Sequence, residues 1–112
     1  MSERGDEVIA INLIRMRSGV DPARFAEFSA TVDQPTCLAK DVVLGFDAYR
    51  VPAADAATVG ADIIEVMHVS SWSAWEQVRD HDPELEPVTR GFEELADPDA
   101  VRTLFVTPIR PS

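Results

Sequence analysis

A chain of 112 residues that is 46% apolar and 27% charged has the composition of one ordinary globular domain with a single modest core. Its net charge of −10 leaves no basic stripe for phosphates and no attraction to an anionic bilayer, which excludes nucleic acid and membrane surfaces as partners. No apolar run approaches the roughly 20 residues of a membrane span. The polar start Met1-Ser2-Glu3-Arg4-Gly5-Asp6-Glu7 has no apolar signal core, and the one cysteine, Cys37, allows no internal disulfide, so the chain reads as a cytoplasmic protein.

In chain order, residues 8–16 are apolar apart from Asn12 and Arg15 and form a first strand. Gly19 and Asp21-Pro22 end it and open a helix, with Asp21 as N-cap and Pro22 in the first turn. Phe25, Phe28 and Val32 fall at helical spacing with the small Ser29 beside them, and Asp33-Gln34-Pro35-Thr36 is expected to break the helix. Residues 42–51 form a second strand with Gly45 as a bulge or close approach, and the Ala-rich residues 52–60 a loose hairpin loop. A third strand covers residues 62–69. Ser71 or Ser73 then caps a helix carrying Trp72, Trp75 and Val78 to about Asp80. Asp82-Pro83 interrupts it, residues 85–96 continue as a helical piece stopped by Asp97-Pro98, and residues 101–109 form the last strand.

The third strand, Asp62-Ile63-Ile64-Glu65-Val66-Met67-His68-Val69, is apolar at odd and even positions alike, as expected of a strand buried on both faces. Glu65 and His68 interrupt it three residues apart, so they point to opposite faces. An ionisable group in such a place needs a partner or a task. The element order β-α-β-β-α-β is the split βαβ arrangement of ferredoxin-like α+β domains, with helices on one face of the sheet only. Strands that are apolar on both faces require a second cover. A second copy of the chain, sheet against sheet, supplies it and predicts a homodimer.

The stretches Asp33-Gln34-Pro35-Thr36-Cys37, Phe46-Asp47-Ala48-Tyr49-Arg50-Val51 and Ile64-Glu65-Val66 resemble the REDY-like branch of the dimeric α+β barrel superfamily, over about residues 8–109. The chain also resembles the polyketide-cyclase-like barrels of that superfamily. It departs from their His-Pro-x-His pattern, having His81-Asp82-Pro83-Glu84 instead. The resemblance implies one barrel domain and a pocket between helices and sheet. Matched strand to strand, it puts Ala10, Asn12, Ile14, Ile64, Val66, His68, Thr103 and Phe105 on the pocket face and Glu65 on the dimer side.

Of the residues that carry chemistry, His81 lies in a Pro-interrupted turn between Asp80 and Asp82, whose carboxylates favour its charged form and suit an acid/base role. His68 is the second acid/base candidate. Glu65 is either a desolvated base or the partner of an arginine such as Arg15. Tyr49 is a candidate proton donor and Arg50 a carboxylate clamp. Asn12 offers a donor to a substrate carbonyl. Phe25, Phe28, Trp72 and Trp75 are first of all core residues, and any that reaches the pocket favours a flat aromatic ligand, as does Phe105, which the resemblance puts on the pocket face. No CxxC, HExxH, GxGxxG or GxxxxGK[ST] motif occurs, so no metal and no nucleotide cofactor is expected. The function expected is a cofactor-independent lyase or cyclase acting by proton transfer, through decarboxylation or related C–C chemistry, on a small aromatic or polyketide-like acid. A cofactor-free or haem-dependent monooxygenase and a non-catalytic binding protein are the alternatives.

Overall fold

Four strands form one antiparallel sheet in a computed structural model that describes residues 7–111; the polar start at residues 1–6 and Ser112 lie outside the described residues. The strands are β1 (Val8–Ile14), β2 (Val43–Arg50), β3 (Ile63–Val69) and β4 (Arg102–Val106), in the order β2-β3-β1-β4. This is the expected ferredoxin-like topology, with the most apolar strands, β1 and β3, at its centre. Gly45 sits at a register shift between Val43 and Gly45, the bulge expected there. Burial along β3 alternates strictly, so one face is covered by helices and the other is half-exposed. The reading of β3 as buried on both faces is corrected for the single chain.

The first helical segment differs from expectation. After α1 (Pro22–Phe28), capped by Asp21 through its side chain, the chain does not break at Asp33. It widens into a π-helical turn, Ser29–Asp33, and continues as α2 (Gln34–Leu38). Pro35 stands in the first turn of α2, where its missing N–H costs little. Phe25, Ser29, Asp33 and Cys37, each four residues apart, are all buried at 1–4% exposure and form one continuous inner row. Residues 52–60 are also not a loose loop: Ala53–Val59 form a helix, α3, closed by Gly60 in the left-handed conformation. Its alanines supply the helix propensity.

Helix α4 (Trp72–His81) starts at Ser71, whose hydroxyl accepts the Ala74 N–H. A 3₁₀ turn, Pro83–Leu85, leads into α5 (Glu86–Leu95). The core between helices and sheet has two parts. One gathers Ala10, Phe46, Met67, Trp72, Trp75 and Leu85; the other gathers Ile14, Phe25, Ile63 and Leu95. Along β1 and β3 the step between them is made by Asn12 and Glu65.

Gly91 on α5 is where the helical layer closes most tightly. A Cβ there would lie 2.2 Å from Phe28 Cε1 and 2.7 Å from its Cδ1. Phe28 is held edge-on by Phe25 at 5.8 Å between ring centroids. Gly91→Ala gains about 1 kcal/mol of helix propensity, but overpacking costs about 1–3 kcal/mol. The expected outcome is a net fall in the thermal midpoint, checked by a calorimetric melt; an unchanged or higher midpoint would show that Phe28 yields freely.

Candidate active site

Directly opposed residues of an antiparallel sheet share a face. The register sets Asn12 opposite both Glu65 and Thr103, and Ala48 opposite Glu65, so these four lie in one row beneath the helices. Thr103 Oγ1 donates to Asn12 Oδ1 at 2.7 Å, which leaves the Asn12 amide N–H groups as donors toward Glu65. From above, the π turn brings Asp33 to the Glu65 carboxyl, and Cys37 Sγ donates to Asp33 Oδ1 at 3.5 Å. Asp33 and Glu65 are each 4% exposed.

Glu65 Oε2 is fully buried and meets no hydrogen-bond donor among the described residues. Two like charges brought together away from water cannot both persist, so the pair favours holding a proton between them. Burial pushes the Glu65 carboxyl well above its usual range, and the neighbouring Asp33 pushes it further. Burial raises Asp33 as well. The Cys37 thiol is driven up by burial and then by Asp33, so it stays protonated and serves as a donor rather than a nucleophile.

The carboxyl pair borders a cavity of about 280 Å³ between sheet, α4 and α5. Trp72, Trp75, Met67, Phe46 and Phe92 give it apolar walls, and Arg79, Thr89 and Glu93 stand on its helical side. Arg79 is engaged by Asp80, with Nε to Oδ1 at 2.8 Å, and by Glu76 at 3.7 Å. Lys40, just beyond α2, pairs with Asp82 at 2.8 Å and with Glu84, tying the π-turn segment to the turn between α4 and α5. Among the described residues no group of three or more His, Cys, Asp or Glu side chains is arranged to hold a metal ion.

Several expected positions are corrected. The register puts Ile64, Val66 and His68 on the outer face and Glu65 on the helix face, reversing the expected facing of β3, while Ala10, Asn12, Ile14, Thr103 and Phe105 do lie on the helix side. The strands alternate as expected; what cannot be read from a strand apolar at every position is which half of it faces the helices. His68 does not enter the cavity: its Nε2 lies 3.0 Å from Glu7 Oε1. Tyr49 is 56% exposed on the outer face. His81 is exposed at the end of α4 and does not line the carboxyl-bordered cavity, and the carboxylates beside it are engaged by Arg79 and Lys40. Glu65 makes no pair with Arg15, which engages Asp62 at 3.6 Å.

Arg50 and Phe25 border a second, smaller cavity of about 170 Å³ on the far side of the π turn. Phe25 and Phe28 pack edge-on in the core rather than in the main cavity. Phe105 stands edge-on behind Trp72 at 4.9 Å. In the sequence Asp33 reads as a helix breaker and as part of a family-like stretch, not as a site residue. The signal that marks it is the four-residue spacing Phe25, Ser29, Asp33, Cys37, which places a carboxylate on the buried row of a continuing helix.

A four-stranded ferredoxin-like sheet with a carboxyl-floored cavity under its helices defines a domain of the dimeric α+β barrel type. The match to the family model for the REDY-like protein HapK extends over residues 8–109, and the chain belongs to that family. Its fold is similar to that of SnoaB, a cofactor-independent oxygenase from Streptomyces nogalater, with a TM-score of 0.71 and 14% identity over 95% of this chain and 96% of that one. HapK from Hahella chejuensis gives a TM-score of 0.68 and 20% identity over 95% of each chain. A dimeric ferredoxin-like protein of unknown function from Thermobifida fusca gives 0.67 and 14% over 96% of each. Among curated proteins none matches. No helix among the described residues is long and apolar enough to cross a membrane.

Proposed function

We propose that the chain is a cofactor-independent acid/base enzyme acting on a small flat aromatic or polyketide-like molecule, with Glu65 as the proton-transferring group and Asp33 as the partner that sets its proton affinity. The observation that supports this is the buried Glu65 oxygen without a donor beside a second carboxyl, at the edge of a cavity walled by Trp72, Trp75 and Phe92. A carboxyl pair with one proton can accept a second from the ligand and return it to another atom of the same ligand. The Asn12 amide is placed to steady an oxygen that gains charge meanwhile.

Among the C–C reactions expected, enolisation followed by ring closure fits this site better than decarboxylation. A substrate carboxylate would enter a cavity that already holds a negative charge. A second reading, a cofactor-independent oxygenase, is favoured by the fold shared with SnoaB, because a ligand anion made by the same pair can give an electron to dioxygen, the oxidant, and then form a C–O bond with the reduced oxygen. The chain pairs with a second copy through its outer sheet face, where Leu44, Tyr49, Leu104 and Val106 are exposed; the dimeric Thermobifida protein supports this.

The test is a mass-spectrometric screen against phenolic ketones and polyketide-like aromatics, run with and without oxygen. Isomerisation, or loss of water, that disappears in Glu65→Gln upholds the first reading; gain of oxygen atoms only in air upholds the second. His68→Ala and His81→Ala are expected to keep turnover within about threefold of the parent, because neither lines the cavity. A hundredfold loss in either would return catalysis to the histidines.

A further inference from the structure

We propose that the cavity is built for a flat ligand carrying a cationic nitrogen, of the iminium, amidinium or arylmethylammonium class, with the charge against Asp33 and Glu65 and the ring against Trp72 and Trp75. The inference rests on the acid/base reading of the same pair and names the class of its substrate. The carboxyl pair carries a negative charge in an apolar enclosure, and an isolated charge there is costly unless it is paired. The groups facing it are Asn12 on β1, Cys37 on α2, Thr103 on β4, and across the cavity Arg79 on α4 and Glu93 on α5. Arg79 is already engaged by Asp80 and Glu76, and among the described residues no lysine or arginine makes an ion pair with either carboxyl. The missing counter-charge is therefore left for the ligand to supply. Two indole rings beside the site add attraction for a cation, and a chain charge of −10 draws cations toward it.

The same charge makes the chemistry easier. When a C–H on the carbon next to the iminium carbon breaks, its electron pair forms a C=C bond to that carbon and the C=N π pair moves to nitrogen, giving a neutral enamine. The proton goes to the carboxyl pair, which becomes doubly protonated and neutral. One cation and one anion vanish together, so no new charge has to be held in the cavity. A neutral ketone in the same place would leave an enolate to be stabilised.

Calorimetric titration of the full chain with 2-naphthylmethylammonium, 2-naphthylmethanol and 2-naphthoate separates charge from shape. The ammonium probe is expected to bind at least about tenfold more tightly than the alcohol, and the carboxylate most weakly. In the double variant Asp33→Asn, Glu65→Gln the advantage of the cation should vanish while the alcohol still binds, which also shows that the variant is folded. Equal or tighter binding of the alcohol or the carboxylate, or a preference that survives the double variant, overturns the proposal. A neutral substrate turned over by the parent and not by Glu65→Gln would in that case still uphold acid/base catalysis.

Discussion

Glu65→Gln is expected to lower turnover by about 10²–10⁴-fold, the usual worth of a positioned acid or base, and at the same time to raise the thermal midpoint at neutral pH. The two effects share a cause. The folded chain holds the Glu65 carboxyl in its protonated form well above the ordinary value of 4.5. As pH rises through that ordinary value, the unfolded chain gives up the proton and the folded chain does not. Unfolding is thereby favoured, and stability falls until the raised folded value is reached. Below the ordinary value both states are protonated and nothing is lost. Glutamine keeps the shape and removes the titration, so its midpoint should match the parent in acid and exceed it by about 4 °C or more near neutrality. Melts at several pH values check this. A variant that is equally stable at every pH would mean the carboxyl is not held protonated, and inactivity alone would then say little.

Ile11→Glu should convert the assembly to single chains. Ile11 lies between Val66 and Leu104 by register, at the centre of the outer face. Burying an unpaired carboxylate there costs about 3 kcal/mol or more, at least a hundredfold in dissociation constant. Light scattering should give a mass near 12.3 kDa for the variant and about twice that for the parent. The parent at the single-chain mass would remove the pairing. The Trp cavity lies on the opposite side of the sheet, so the variant should still bind the aromatic alcohol probe.

The strand and helix order was legible because apolar runs, Asp21-Pro22, Ser71 and Asp97-Pro98 are local signals that tertiary packing did not override. Two elements were hidden. Residues 53–59 lack a wide apolar stripe, so periodicity could not separate a helix from a loop, though alanine content and Gly60 point to one. Pro35 concealed the continuation of the first helix, because the same residue that interrupts a helix also fits the first turn of the next. With the helix ended at Asp33, the site lost its second carboxyl. Glu65 and Asn12 were visible as polar residues in apolar strands, but the facing of β3 depends on long-range register, which no local pattern carries.

The π turn also gives the chain latitude in the number of residues it carries at that point. Its hydrogen bond from Gln34 N–H to the Ser29 carbonyl spans five residues where an ordinary helix spans four. Removing a single residue between Ser29 and Asp33 would let the segment close into a regular helix with α1 and α2 keeping nearly their present faces, because the wider turn is what takes up the extra residue. Asp33 would then lie seven residues from Phe25, a rotation of about 700°, and so would still fall within about 20° of the same buried row. Within this family, a one-residue gap at that turn should therefore be compatible with the paired carboxyls, and relatives that keep both Phe25 and Asp33 should tolerate either seven or eight steps between them.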